Sequence, residues 1–205
     1  MKPGETNTER LWTRSRRAAY AEITEIAMGL FLSKGFEDTT IDDIARASGI
    51  SRRSFFRYFG TKEDIVLGDL TQEGEDARRA LEERPGSEPP WTALRHVLLD
   101  IAAGSRDLDR MLKVTKMMHE TPSLRSRCIE KHLGWQAQMT PELRRRLARE
   151  HADGPWLDVR AQSLVACAIA CLDVAGEAWA RADGAVPLCE LLEAAFDAVG
   201  DTREP

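Results

Sequence analysis

The stretch from Thr39 to Asp64, TTIDDIARASGISRRSFFRYFGTKED, constrains this chain more than any other. Its punctuation leaves room only for short helices. Thr40 is a good N-cap, and Asp43 stands three residues later in the capping-box position. Ile41, Ile44 and Ala45 give the helix that follows an apolar stripe. Gly49 ends it, because glycine tolerates the left-handed conformation a helix C-terminus often needs. Only Ile50 intervenes before Ser51, a second N-cap. The next helix turns Phe55 and Phe59 inward at i, i+4 and carries Arg52, Arg53 and Arg57. Gly60 breaks it, and Thr61 with Asp64 repeats the capping pattern. Two short helices joined by a glycine-containing turn, the second one basic, is the sequence form of a helix-turn-helix.

The flanks fit this reading. Met1 to about Trp12 is polar and reads as a disordered arm. From about Thr13 to Lys34 a helix places Ala19, Ile23, Ile26, Ala27 and Leu30 on one face. Gly35 stops it, and Phe36 turns back over a small core with Ile41, Ile44, Ile50, Phe55 and Phe59. A longer helix is expected from Thr61 to about Glu83, with a strongly charged second half. Pro85 to Pro90 is the clearest linker. Beyond it every segment has helical periodicity: Trp91–Ala103, a helix capped by Ser105 or Asp107, another starting at Thr121-Pro122, then about Leu157–Ala182 and Val186–Val199. Pro141 either kinks its helix or begins a new one capped by Thr140. The expectation is an all-α chain of about nine helices. A helix-turn-helix DNA-binding domain would occupy residues 1–60, and a helical ligand-binding and dimerisation domain residues 61–205.

Charge bears on the partner. The net charge of −5 over 205 residues argues against indiscriminate coating of nucleic acid. The part up to Lys62 is nevertheless slightly basic, and its basic residues sit at helix starts, where backbone N–H groups favour phosphate. Composition is that of an ordinary soluble protein, with 42% hydrophobic and 31% charged residues. No apolar run long enough to span a bilayer is evident and the N-terminus is polar, so a cytoplasmic location away from membranes is expected. The four cysteines lack CxxC spacing; Cys167 and Cys171 could share a helix face, but no histidine lies near enough to them in sequence to suggest a zinc site, so no metal or cofactor is expected.

A helix fits the major groove, and side chains near its N-terminus reach base edges. Arg52 and Arg53 are placed for guanine O6 and N7. Phe56 points away from the inward face set by Phe55 and Phe59. It either meets thymine methyls or packs on the third helix. Thr40, Ser54, Arg57, Tyr58 and Lys62 could bond phosphates.

Taken together, Lys34-Gly35-Phe36, Thr39-Thr40, Ile44-Ala45, Gly49-Ile50-Ser51, Tyr58-Phe59 and Lys62-Glu63 resemble the DNA-binding signature of the TetR family of transcriptional regulators, over about Ala18 to Leu70. The resemblance implies base contacts at Arg52, Arg53 and Phe56, and phosphate contacts at Thr40, Ser54, Arg57, Tyr58 and Lys62, with Ser51 heading the reading helix. It implies binding of double-stranded DNA at a palindromic operator, homodimerisation through the last two helices, and release, as from a repressor, by a small effector. Arg53 departs from the pattern, since many members have a small residue there. The SRRSFFRYF form is similar to a subgroup that includes sensors of fatty acyl-coenzyme A.

The remainder is less specific. Trp91, Ile101, Met111, Thr115, Met118, His119, Trp135, Met139, Cys171 and Trp179 could line an apolar effector pocket or be ordinary core. Stripes containing Leu164, Ala168 and Leu172, and Leu188, Leu192 and Phe196, fit a dimer interface. An enzyme is the competing class, but none of the four histidines stands in a recognisable catalytic context. A helical adaptor without DNA binding is a third reading, opposed by the intact Arg52, Arg53, Tyr58 and Lys62.

Overall fold

The computed structural model describes residues 7–68, 70–104, 107–150 and 156–200. They form ten helices: α1 (Asn7–Lys34), α2 (Ile41–Ala47), α3 (Arg52–Tyr58), α4 (Glu63–Leu67), α5 (Leu70–Glu83), α6 (Pro90–Ala103), α7 (Leu108–Glu120), α8 (Pro122–Glu150), α9 (Leu157–Arg181) and α10 (Leu188–Gly200). The chain divides into two compact units, Met1–Gly68 and Asp69–Pro205.

Two boundaries differ from expectation. α1 begins at Asn7, so part of the segment read as an arm is helical, and residues 1–6 lie outside the described residues. The helix expected from Thr61 to Glu83 is broken at Gly68, whose backbone sits at φ 68°, ψ −166°. That region is closed to residues with a Cβ. The division of the chain therefore falls after Gly68 rather than after Gly60, and α4 joins the first unit.

In the first unit α1 packs on α2 and α4, and α2 on α3. Ile23, Ala27, Phe31, Phe36, Ile44, Phe55 and Phe59 are buried. The aromatic rings run on from one another: Tyr20 to Phe59 at 4.5 Å, Phe59 to Phe55 at 5.4 Å, and Phe31 to Phe36 at 4.9 Å between centroids. The caps read from sequence form. Thr40 and Asp43 make the full capping box, and Ser51 accepts from the Ser54 amide. Asp64 and Thr61 exchange backbone-to-side-chain bonds of 2.9 and 3.3 Å.

In the second unit α9 is central and packs on α6, α7, α8 and α10. Leu94, Leu98, Met139, Leu143, Ile169, Leu192 and Phe196 form the middle of its core. α5 lies close on α8, where Gly74 leaves room for Trp135: a Cβ at that glycine would come within 2.7 Å of the indole. Pro141 neither ends nor restarts α8. The helix runs through it, and the Thr140 hydroxyl donates to the Gln136 carbonyl at 2.7 Å. Asp107 caps α7 by accepting from the Arg110 amide at 2.9 Å.

α9 corrects the expectation that no segment could span a bilayer. Leu157–Arg181 is long enough, and its most apolar 18 residues reach a mean hydropathy of 1.5. Its physical reason is packing: one side fills the core of this unit, as the burial of Ala161, Val165, Ala168, Ile169 and Ala175 shows.

A buried ion pair closes the end of α5. Arg146 and Glu142 are 3% and 4% exposed. The Arg146 guanidinium donates to the carbonyls of Leu81, Arg84 and Pro85, the last two at 2.7 and 2.9 Å. The Leu81 and Pro85 carbonyls also accept the Arg84 and Glu88 amides, at 3.4 and 3.1 Å, so the guanidinium adds to the bonding at the helix end. Arg146→Met removes these bonds and leaves the buried Glu142 carboxylate with Arg145 as its remaining partner, and should cost about 1–3 kcal/mol in urea denaturation. A loss below about 1 kcal/mol would show that the guanidinium is not what closes this end.

Candidate nucleic-acid interface

α3 presents its two sides differently. Phe55 is fully buried and Phe59 nearly so, while Arg52, Arg53, Phe56 and Arg57 are exposed. At 3.6 residues per turn, Arg53 and Phe56 fall away from the side taken by Phe55 and Phe59; Arg52, three residues before Phe55, lies nearer that side and is exposed in the first turn, where its guanidinium turns to Asp42. The Ser51 hydroxyl takes the Ser54 amide at 3.0 Å, fixing the first turn from which Arg52 and Arg53 project.

Arg52 is not idle. Its guanidinium meets both Asp42 carboxylate oxygens, at 3.3 and 3.1 Å, and lies 5.9 Å from the Phe56 ring centroid. Both partners of this ion pair are more than half exposed. Such pairs are worth about 0–1 kcal/mol, so Arg52 can leave Asp42 at small cost. Phe56 is 48% exposed, with its edge against Phe55 at 5.5 Å. Its free side forms a wall of an open concavity of about 400 Å³ together with Ile41, Thr40 and Thr61.

Thr40 heads α2 beside this concavity. Its hydroxyl and amide both bond Asp43 Oδ2, at 2.8 and 3.1 Å. Asp43 also receives Lys34 at 2.8 Å and Arg46 at 3.2 Å. The hydrogen bond from Lys34, then those from Thr40, hold its carboxyl well below the usual carboxylate range. Ser54 and Tyr58 are half-buried, and Arg57 stacks over the Tyr58 ring at 5.3 Å. Arg16, on α1, reaches the Arg57 carbonyl at 3.4 Å.

Lys62 does not fit the phosphate role expected of it. Its ammonium donates to the carbonyls of Phe36, Glu37 and Thr39 at 2.9, 3.4 and 3.4 Å. It sits 4.3 Å from the Phe36 ring centroid, with the Glu37 carboxylate at 3.7 Å. Three carbonyls occupy its three donors. Nothing in the local sequence signals this, because the acceptors lie more than twenty residues away. Asp42 was likewise missed as the partner of Arg52, since it reads as an ordinary first-turn acid.

The residues expected to line an effector pocket scatter. Trp135, Met139 and Cys171 belong to the core of the second unit, and Trp91 packs on Phe196 at 4.9 Å. Thr115 and Trp179 are buried, and the Thr115 hydroxyl is spent on the Met111 carbonyl at 2.8 Å. Met111, Met118 and His119 are half-buried, and Ile101 is exposed. The residues expected at a dimer interface lie in or against this chain's own core. Leu164, Ala168, Leu192 and Phe196 are buried in this chain's own core, and Leu172 and Leu188 pack against it. The larger apolar residues fill the protomer, which leaves the smaller ones outside: Val159, Ser163, Cys167, Ala170 and Val174 on α9, and Ala194 and Ala198 on α10, are exposed.

Residues 23–68 match the family model for bacterial regulatory proteins of the tetR family, and residues 88–204 match that of the MftR C-terminal domain. A Mycobacterium tuberculosis protein named as a mycofactocin biosynthesis transcriptional regulator, MftR, is 32% identical over 91% of this chain and 92% of its own length. The HTH-type transcriptional regulator TcmR of Streptomyces glaucescens is 30% identical over 94% of this chain and 85% of its own. Among solved structures, Thermus thermophilus FadR, a TetR-family repressor in complex with lauroyl-CoA, superposes with a TM-score of 0.57 at 23% identity, covering 91% of this chain and 95% of that one.

The placement of Lys62 makes a prediction. Lys62→Met should lower the melting temperature while leaving the salt dependence of DNA binding unchanged. A phosphate contact would instead flatten the log–log salt slope by about one unit. The whole-length matches, together with the capped, arginine-bearing α3, establish that this chain belongs to the TetR family of bacterial DNA-binding transcriptional regulators.

Proposed function

We propose that this regulator is a homodimeric repressor that holds a palindromic operator and is released by a small apolar effector. The observation that carries the DNA half is the exposure of Arg52, Arg53 and Phe56 on one side of a helix whose other side is anchored by Phe55. Arginine reads guanine bidentately, and phenylalanine meets thymine methyls. Phosphate contacts from Thr40, Ser54, Arg57 and Tyr58 would set the register.

The dimer rests on α9 and α10. Their outward side carries small apolar residues, with Val159 and Val174 at 57% and 59% exposure, interspersed with Asp158, Asp173, Glu193 and Asp197. Small side chains let helices approach closely, and exposed valines gain from a cover. A two-fold dimer would place its two reading helices about one DNA turn, ~34 Å, apart.

For the effector, fatty acyl-coenzyme A is the first candidate. The support is the fold shared with Thermus thermophilus FadR, a complex with lauroyl-CoA, and the apolar interior of the second unit. An effector acts only through its different affinity for the operator-bound and free shapes. The usual coupling of about 1–3 kcal/mol corresponds to a 5–150-fold loss of operator affinity. The relatives are transcriptional regulators, and a turnover role finds no support in the histidines. His96 is tied to Glu88 at 2.6 Å beside Arg84, which is a surface ion-pair arrangement.

Fluorescence anisotropy on an operator selected from genomic fragments tests the reading. Arg52→Ala with Arg53→Ala should weaken operator binding at least ~30-fold, since each bidentate contact discriminates by about 1–3 kcal/mol. Unchanged affinity would place the reader elsewhere. Val174→Arg should give a monomer in sedimentation while keeping the helical circular dichroism signal; a dimer that persists would move the interface off α9. Lauroyl-CoA should release the operator within the range above, and no release would remove acyl-CoA from the reading.

A further inference from the structure

Cys128, His132 and Asp173 converge between α8 and α9. Cys128 and His132 lie one turn apart on α8 and so share a side of that helix. Asp173 reaches across from α9. One donor atom from each lies within 4.8 Å of the other two. The Cys128 sulfur is 3.9 Å from His132 Nε2, and the Asp173 carboxylate oxygens are 3.0 and 3.2 Å from His132 Nδ1. A proton relay through the ring would hold sulfur and carboxylate at its opposite edges, well beyond that separation. The donors gather on one side of the imidazole instead.

We propose that these three side chains form a binding site for a borderline-soft divalent cation of the Zn²⁺ class. Thiolate, imidazole and carboxylate are the three ligand types such an ion takes, at about 2.3, 2.0–2.1 and 2.0–2.2 Å. A tetrahedral site then has donor–donor separations of about 3.3–3.7 Å, so the present atoms need close by only about 1 Å. Sulfur and nitrogen disfavour Mg²⁺ and Ca²⁺, which take oxygen. The His132 side chain is 15% exposed and that of Asp173 48%, so the site is enclosed on the imidazole side and open to solvent on the carboxylate side. Three protein ligands leave the fourth position to water.

The imidazole and the Asp173 carboxylate form a pair of opposite charge. Burial lowers the His132 pKa, but the bonds to Asp173 and Cys128 outweigh it and push it up to about 9. An ion would displace that proton and the thiol proton, and would tie α8 to α9 in the second unit. The other cysteines do not take part: Cys167 is exposed, Cys171 buried elsewhere in the core, and Cys189 half-buried.

Titration of the reduced full-length protein with Co²⁺ tests the site. The expected result is one ion per chain, a sulfur-to-cobalt charge-transfer band in the near ultraviolet, and tetrahedral bands in the visible that Zn²⁺ abolishes. At a free Zn²⁺ concentration of 100 times Kd the melting temperature should rise by about 5–10 °C. Cys128→Ala should remove the charge-transfer band, Asp173→Asn should weaken binding at least ~10-fold, and Cys167→Ala should change neither. A charge-transfer band that survives Cys128→Ala, or the absence of binding at millimolar Co²⁺, would overturn the proposal.

Discussion

Everything α3 does depends on two buried phenyl rings. A helix of seven residues is too short to persist in water, because nucleation outweighs the few hydrogen bonds it can make. Phe55 and Phe59 supply what the backbone cannot. Both are buried, they touch each other, and Phe59 stacks on Tyr20 of α1. Fully burying each ring stabilises by about 1.5–3 kcal/mol, enough to hold two turns of helix. The same anchoring fixes the rotation of α3 about its axis. That rotation is what sends Arg53 and Phe56 outward, so the hydrophobic core sets which side chains α3 exposes.

Charge then divides into two kinds. Arg52 is held by Asp42 at the surface, where solvent screens the pair and Arg52 can leave it at small cost. Lys62 is held by backbone carbonyls and an aromatic ring, contacts that a phosphate would have to break. Both residues are basic and both lie in the helix-turn-helix stretch. One is poised for exchange and the other braces the turn between α1 and α2. Asp43 belongs with the brace, since its carboxylate joins Lys34 of α1 and Arg46 of α2 and caps α2 through Thr40.

The sequence made the local devices plain. Thr40, Ser51, Thr61, Asp107 and Pro122 all start helices as their chemistry requires, because a cap involves only residues within a turn of itself. What it concealed was set by distant partners. Gly68 looks like a tolerable helix glycine costing about 1 kcal/mol, and only its φ of 68° shows a break. α9 is apolar nearly all round, so periodicity could not say which side meets the protomer's own core. The expectation took the larger residues for the interface, whereas the core had already claimed Leu164, Ala168, Leu192 and Phe196. Cys128 and His132 stood four residues apart in plain view, but Asp173 lies forty-one residues beyond His132 and joins them only through the packing of α8 on α9.

The central claim is that Arg52 and Arg53 read guanine from the major groove. Methylation interference on the selected operator tests it directly, since dimethyl sulfate blocks guanine N7 there and adenine N3 in the minor groove. The account predicts that methylation of a guanine in each half-site abolishes binding, and that Arg53→Ala or Arg52→Ala removes that sensitivity. Binding indifferent to guanine N7 methylation, or blocked only by adenine N3 methylation, would contradict it.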